Sequence, residues 1–189
     1  ADFAARTDDE FALARAVRDE IGRVDVERVV SGIGLVHIAT HRHGADRCAV
    51  AGVFADRNGI AGVSHAAAAG TCADCAAVMD LFVDAYGAEA GNLALRAVAS
   101  AGVYVGGGIV PQIFEFFRTS RFRQRFEAKG RFAAWLARIP TYVVMTPRHT
   151  LLGIAAILDD HLSTEHGAGR LLDDVKAALP NLSAAERLV

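Results

Sequence analysis

The segment that decides the fold reads GVYVGGGIVP and spans residues 102–111. It opens with a short run of β-prone apolar residues, continues with three glycines, and ends in a proline that suits the first turn of a helix. It therefore predicts a strand, a glycine loop and a helix start. A second apolar run at 141–145 predicts another buried strand, and a helix is expected over 151–162. This alternation of strands and helices predicts an α/β layer.

The N-terminal part of the chain is dominated by helical patterns. Thr7 and Glu10 have capping-box spacing ahead of an amphipathic helix predicted over residues 8–22. Asp25 is expected to cap a second helix, although glycines interrupt its pattern.

The middle of the chain changes from an irregular to a helical pattern. Residues 41–63 show glycines, charges and no sustained period, which predicts an exposed loop. Residues 65–98 are rich in Ala, Leu and Val and lack proline. They predict one long helix or two consecutive helices that pack in the core.

Composition and charge limit the classes of partner. The 189 residues are 52% hydrophobic, enough for one sizeable core, and the net charge of -2 provides no field that would favour nucleic acid or an anionic membrane. Three cysteines are too few for a disulfide framework, which favours a reducing compartment and predicts a cytoplasmic protein. The longest uncharged stretch, 97–114, contains glycines and a proline, so no membrane span is predicted.

The glycine loop at 106–108 has two possible interpretations. Absent side chains let backbone N–H groups approach a ligand, but a tight strand-to-helix turn also uses glycine. The spacing is not the dinucleotide fingerprint Gly-x-Gly-x-x-Gly, and no Walker lysine follows. With no acidic residue at the end of a second strand about 20 positions on, a Rossmann-type oxidoreductase is disfavoured.

Three ordered motifs resolve this choice: ERVVSGIGLV at 27–36, GNLAL at 91–95 and GGGIVP at 106–111. They occur in the order found in the bacterial glucokinase family, which residues 1–163 resemble. Shorter segments add to the resemblance: CADC at 72–75, FEAKGRF at 126–132, IP at 139–140 and LLG at 151–153.

The resemblance implies an α/β fold, the C-terminal large domain of the actin-like, ribonuclease H-like ATPase fold, helix-rich with a short central sheet. In that family two domains close over ATP, Mg²⁺ and glucose to make glucose 6-phosphate and ADP, as in glycolysis. It also implies that Glu27 hydrogen-bonds glucose hydroxyls and that Gly106, Gly107 and Gly108 face ATP. A homodimer is expected.

Several parts of the family pattern have no counterpart in the 189 residues. They are the phosphate loop Asp-x-Gly-Gly-Thr, the catalytic aspartate and the Glu-x-Gly-His sugar motif; residues 1–4 resemble the segment immediately after that sugar motif. We therefore assign no catalytic residue, expect the Mg²⁺ ligands mainly from a missing N-terminal part, and predict that this chain alone is inactive. The alternative function is a non-catalytic module that senses sugar or nucleotide for a transcription regulator.

Cysteines and histidines provide candidate metal ligands. Cys72 and Cys75 have zinc-ligand spacing but lack a second cysteine pair, so no metal site is predicted there. His37, His41 and His43 are interpreted as surface histidines, because no cysteine or carboxylate pattern completes a cluster.

A basic run in the second half could be a nucleic-acid site or the solvated face of a helix. Phe122 and Phe126 at helical spacing favour the solvated face. The basic residues are Arg118, Arg121, Arg123, Arg125, Lys129 and Arg131.

The C-terminal residues predict a separate unit. Residues 164–170 have the composition of a linker, and residues 171–189 resemble the start of the RpiR family of sugar-responsive transcription regulators. Ser183 and Glu186 have the spacing of a helix capping box. The resemblance implies a helix-turn-helix domain whose DNA contacts lie beyond Val189.

Overall fold

The computed structural model of the chain describes residues 1–43, 59–146, 148–166 and 186–188. The helices are α1 (Asp8–Ile21), α2 (Gly32–Arg42), α3 (Gly59–Ala68), α4 (Ala73–Ala97), α5 (Ile109–Gln112), α6 (Phe114–Thr119), α7 (Phe122–Glu127), α8 (Ala133–Leu136) and α9 (His149–His166). The strands are β1 (Val103–Val105), β2 (Thr141–Val143) and β3 (Glu186–Leu188).

Helix α1 confirms the helix predicted over residues 8–22. The Glu10 N–H donates to Thr7 Oγ1 at 3.2 Å, and the Thr7 N–H donates to the Glu10 carboxylate at 3.3 Å. This reciprocal pair is the predicted capping box. The helix ends at Gly22, whose φ of +84° favours glycine.

The single helix predicted from Asp25 is wrong. Asp25 caps only a 3-10 turn, Val26–Arg28, and α2 begins after Ser31. The helix is broken at Ser31, whose backbone is extended, and beyond it the backbone at Gly34 packs against Val29. A Cβ at this glycine would overlap the Val29 backbone.

Helices α3 and α4 confirm the two consecutive helices predicted over residues 65–98. The predicted loop at 41–63 lies largely outside the described residues, but its two ends are helical in α2 and α3. No single helix in the described ranges is long and apolar enough to cross a bilayer. The length and composition of a membrane span are reached only when Gly62–Ala68 and Ala73–Ala97 are taken together, and a bend of 104° separates these two helices.

Helix α4 is the centre of the core. Met79, Phe82 and Val83 are at most 1% exposed, as their common helical face predicts. On the side facing α7, Gly87 and Gly91 let the two helices approach closely. A Cβ at either glycine would overlap a backbone carbonyl oxygen of α7.

The two predicted strands are present and pair in parallel. Val103 is in register with Thr141, and Val105 with Val143. The connection between them contains α5 to α8, so the strand, glycine loop and helix predicted at 102–111 are confirmed. Strand β3 pairs with β2 in antiparallel orientation, giving the order β1-β2-β3.

The C-terminal residues differ from the prediction where they are described. Helix α9 continues to His166, so residues 164–166 are helical where a linker was predicted. Glu186 lies in β3, so the helix predicted from its capping-box spacing is wrong at this residue. Residues 167–185, which carry most of the predicted unit, lie outside the described residues.

Candidate functional site

Glu27 lies on the single 3-10 turn between α1 and α2. The Asp25 carboxylate caps this turn by accepting a hydrogen bond from the Arg28 N–H at 3.1 Å. Glu27 itself is exposed, and within the described residues no hydrogen bond or ion pair engages its carboxylate. The turn therefore presents carboxylate oxygens that can accept hydrogen bonds from ligand hydroxyls.

Two side chains from α2 and its cap fix the backbone of this turn. Ser31 Oγ donates to the Glu27 carbonyl at 2.6 Å and accepts from the Gly34 N–H at 3.1 Å, so one hydroxyl holds the turn and caps the helix. His37 Nδ1 donates to the Arg28 carbonyl at 2.9 Å. Sequence analysis assigned Ser31 no role, although a serine three residues before a helical N–H is an N-cap pattern. His37 is part of this support, not simply a surface histidine.

The first residues of the chain lie beside the same turn. The Phe3 N–H donates to the Val24 carbonyl at 3.0 Å, and the Val26 N–H donates to the Ala1 carbonyl at 3.0 Å. This short antiparallel pairing places Ala1 against the residue that precedes Glu27.

Gly106, Gly107 and Gly108 form an exposed loop between β1 and α5. Gly107 has φ +111°, a conformation that side chains disfavour. A Cβ added at Gly107 or Gly108 would meet no other atom within 4 Å. The Gln112 amide donates to the Gly108 carbonyl at 2.6 Å. The loop therefore presents a bare, fixed backbone surface to open space.

His149, the first residue of α9, supports this loop. Its Nδ1 donates to the Thr146 carbonyl at 3.1 Å, and its Nε2 accepts from the Gly107 N–H at 3.3 Å. Both bonds form together only in the neutral tautomer with hydrogen on Nδ1. A Cβ at Gly106 would lie 3.0 Å from the same Nε2. No local pattern reveals this contact, which joins residues 42 positions apart.

A cleft of about 330 Å³ lies between α3 and the α5–α6 segment. Ser64 and His65 line one side, and Pro111 and Gln112, which come after the glycine loop, line the other. Its volume is at the lower end of the range of about 300–1,000 Å³ for small-molecule pockets.

One hydrophobic core supports both the Glu27 turn and the glycine loop. Val29 and Leu35 on one side, and Val105 and Val110 on the other, belong to a single cluster of buried residues. In the described part of the chain no direct hydrogen bond joins the two regions, so packing sets their relative position.

The basic run is divided between surface and interior: Arg118, Arg121 and Arg131 are exposed, while Arg123, Arg125 and Lys129 are partly buried. Arg121 makes two hydrogen bonds to Asp84, at 3.2 and 2.8 Å, and Arg125 pairs with Glu10 and lies 4.0 Å from Asp84. Glu10 is only 1% exposed. Burial raises the pKa of Asp84, and the two arginines oppose that shift. The predicted solvated face is confirmed for the exposed arginines and wrong for Arg125, which faces carboxylates on α1 and α4.

The Lys129 side chain also makes contacts within the protein rather than projecting into solvent. Its Nζ donates to the Ala88 carbonyl at 2.6 Å and to Asn92 Oδ1 at 2.7 Å, which ties the residues after α7 to α4. Burial, and then the neighbouring Arg6, lower the pKa of Lys129 to about 8. Within the GNLAL segment at 91–95, Asn92 thus binds this lysine and Gly91 lies close to α7.

A family model described as glucokinase matches residues 1–161. The chain belongs to the glucokinase family. It is 42% identical over 165 residues to a glucokinase of Aromatoleum aromaticum, covering 87% of this chain and 48% of that relative. It is 38% identical over 164 residues to a glucokinase of Yersinia pestis, covering 87% and 49%. The chain thus spans about half the length of the curated relatives it matches.

A solved structure confirms the predicted fold class. The crystal structure of a glucokinase from an Antarctic psychrotroph superimposes with a TM-score of 0.70 at 34% identity, covering 85% of this chain and 48% of that one. The chain has the actin-like ATPase fold of the glucokinases, helix-rich with a short sheet.

The Mg²⁺ ligands of the family are expected mainly from a missing N-terminal part. Among the residues described, the one cluster of three candidate metal ligands is His43, Cys72 and Cys75. Its nitrogen and sulfur atoms do not suit Mg²⁺, which prefers oxygen ligands. We therefore assign no Mg²⁺ ligand to the described residues.

Proposed function

We propose that the protein containing this chain is a glucokinase that transfers the γ-phosphoryl group of ATP to glucose, giving glucose 6-phosphate and ADP. In this proposal residues 1–163 form part of the large domain. Glu27 binds glucose hydroxyls, while Gly106, Gly107 and Gly108 face the adenosine side of ATP. The reaction takes place in the cytoplasm, in keeping with the sparse cysteines.

The observation that carries the proposal is the Glu27 carboxylate on its fixed turn. Asp25 and Ser31 hold the backbone, while the carboxylate is exposed and has no protein partner within the described ranges. The carboxylate can accept hydrogen bonds from two sugar hydroxyls, and because the turn is already held, binding has to order only the Glu27 side chain and not its backbone.

The position of Ala1 supports the same site. Residues 1–4 resemble the segment that follows the Glu-x-Gly-His sugar motif in the family, and the Ala1 carbonyl accepts a hydrogen bond from the Val26 N–H at 3.0 Å. In the proposed enzyme, that motif and Glu27 therefore lie on neighbouring segments of the backbone and contact the same sugar.

The glycine loop supports the nucleotide side. His149 and Gln112 already occupy the Gly107 N–H and the Gly108 carbonyl. The loop is therefore suited to pack its flat backbone against the adenosine, and the 330 Å³ cleft beside Pro111 offers adjoining space. Side chains on this loop would hold the nucleotide away.

In the proposed reaction the glucose 6-hydroxyl oxygen forms a bond to the γ-phosphorus, and the bond from that phosphorus to the bridging oxygen of ADP breaks. The hydroxyl proton passes to a base. Bound Mg²⁺ would offset charge on the phosphates. Glu27 orients the sugar so that its 6-hydroxyl points at the phosphate, which is a positioning role. The base and the phosphate loop have no counterpart among the 189 residues, so this chain alone should not catalyse phosphoryl transfer.

A chimera tests the proposal. This chain is joined to the part of the Aromatoleum aromaticum glucokinase that lies outside the matched region, and ATP-dependent formation of glucose 6-phosphate is measured. We expect activity from the chimera and none above background from the chain alone. Turnover by the chain alone, or a folded chimera that binds ATP but never phosphorylates glucose, contradicts the proposal. The second result instead favours a sugar- or nucleotide-sensing module.

The remaining parts of the assignment stay predictions. They are the homodimer, the division at residues 164–170, and the RpiR-type unit at 171–189 with DNA contacts beyond Val189. We propose this unit only on the resemblance of fewer than twenty residues. Sequencing the reading frame beyond Val189 tests it, since a complete helix-turn-helix domain must then be encoded there.

A further inference from the structure

Three potential metal ligands converge where α2 ends and α4 begins. His43 is the C-cap residue of α2, Cys72 is the N-cap residue of α4, and Cys75 lies in its first turn. One ring nitrogen of His43 and the two sulfurs all lie within 4.8 Å of one another. Residues far apart in sequence thus meet at one point, away from the Glu27 turn and the glycine loop.

The distances approach those of a tetrahedral metal site. With Zn–S bonds of about 2.3 Å and Zn–N bonds of about 2.0–2.1 Å, the sulfur–nitrogen edge of a zinc tetrahedron is about 3.5 Å. His43 Nε2 lies 3.4 Å from Cys72 Sγ. Small side-chain rotations would bring the remaining sulfur to the same centre.

The burial of the three residues also suits a bound ion. His43 is 4% exposed and Cys75 is fully buried, while Cys72 is partly exposed. The protein therefore encloses two of the three ligands and leaves an approach from the Cys72 side. A fourth position can take water or an added ligand, as in zinc sites with three protein ligands.

Local electrostatics favour the thiolate form that a metal requires. The Cys75 N–H donates to Cys72 Sγ at 3.4 Å, so the sulfur already occupies the N-cap position of a helix of 25 residues. The positive end of a helix dipole stabilises negative charge at this position.

We propose that His43, Cys72 and Cys75 bind one Zn²⁺ or a similar borderline-soft divalent ion. Binding forms two Zn–S bonds and one Zn–N bond, and the two thiol protons pass to solvent; no electron transfer is involved. The ion ties the end of α2 to the start of α4. Because the Glu27 turn adjoins the other end of α2, the ion also stabilises the helix that supports it.

The test uses this 189-residue chain, reduced and stripped with a chelator, and Zn²⁺ alone. We expect one Zn²⁺ per chain and a higher midpoint of thermal unfolding when the ion is bound. Co²⁺ should give the sulfur-to-metal charge-transfer band and the intense visible bands of a tetrahedral thiolate site.

Cys72→Ser is the informative variant, because serine keeps the N-cap while removing the thiolate. It should leave the metal-free stability unchanged or higher and weaken Zn²⁺ binding by more than about 100-fold, since outer-shell changes alone cost about 10–100-fold. His43→Gln should also lose the ion. His41→Gln, an exposed histidine on the same helix, is the control and should bind like the parent. Cys48 is left unchanged throughout.

Three results overturn the proposal. One is no Zn²⁺ retained by the reduced chain. A second is equal Zn²⁺ affinity in the parent and in Cys72→Ser. A third is a Co²⁺ spectrum without thiolate charge transfer. None depends on kinase activity, so this proposal and the proposed function fail separately.

Discussion

The α4–α7 contact and the glycine loop use glycine for opposite reasons. In α4, Gly91 has an ordinary helical backbone, but a Cβ would overlap the Phe126 carbonyl oxygen of α7. In the loop, Gly107 has φ +111° and open space around it. The helical region is thus constrained by its neighbours, and the loop by its own backbone. Substitutions should therefore destabilise the first region more than the second.

The two regions also differ in whether charged or neutral side chains stabilise them. Between α1, α4 and α7, Glu10, Asp84 and Arg125 are held in a largely buried network. The loop is held by a neutral histidine and an amide instead. Loss of a partner should consequently cost far more in the helical region.

The largest effect is expected from Arg125→Met. It removes the cation that faces Glu10 and Asp84, and breaking a buried pair from one side typically costs about 3–5 kcal/mol of unfolding free energy. Urea denaturation measures this. Arg118→Met is the matched control, because its pair with Glu115 is exposed and should contribute less than about 1 kcal/mol. Similar losses in both variants would show that the network does not hold the helices together.

Gly91→Ala should come next, with a loss of about 3 kcal/mol, because the added methyl group forces α4 and α7 apart. The control is Gly153→Ala, an exposed helical glycine in α9 with no atom within 4 Å of an added Cβ. It should gain up to about 1 kcal/mol in unfolding free energy from helix propensity. If alanine stabilises both positions, α4 and α7 are not in close contact.

Gly107→Ala should cost about 1–2 kcal/mol, because alanine disfavours the positive φ. Its neighbour provides the comparison: Gly108 has φ -90° and open space, so Gly108→Ala should change stability little. Chemical denaturation of the two variants separates backbone strain from steric overlap. Equal stability would mean that the loop does not require the observed conformation.

The smallest effect is a pH dependence from Lys129, whose pKa of about 8 lies below its ordinary value of 10.5. The folded state binds this proton less tightly than the unfolded state, so the charge costs stability below pH 8. The cost is relieved as pH rises from about 8 to 10.5, and screening keeps it below about 1 kcal/mol. The parent should therefore gain unfolding free energy relative to Lys129→Met across that range; a constant difference between the two proteins would contradict this expectation.

Short sequence patterns correctly predicted the elements whose ends are set by residues close in sequence. The capping box at Thr7 and Glu10 fixed the start of α1, and the glycines after β1 marked the strand, loop and helix start correctly. The break after Asp25 was missed, because the close contact between the Gly34 and Val29 backbones is not visible in the sequence.

Long-range partners could not be predicted from one sequence. Arg121 pairs with Asp84 37 positions away, and Arg125 with Glu10 115 positions away, so part of a run predicted to be solvated makes long-range ion pairs. His149 meets the glycine loop across 42 positions for the same reason. Glu27 was singled out only through the family resemblance; its own sequence pattern also fits an exposed first-turn glutamate.

The most direct measurement is the glucose dependence of the active chimera with Glu27→Gln, beside Glu20→Gln as an exposed glutamate on α1. Loss of a charged acceptor for sugar hydroxyls should lower kcat/KM for glucose by about 10–100-fold. The KM for ATP should not change, and Glu20→Gln should behave like the parent. An unchanged kcat/KM for glucose in Glu27→Gln would contradict the account, because the carboxylate would then have no part in binding the sugar.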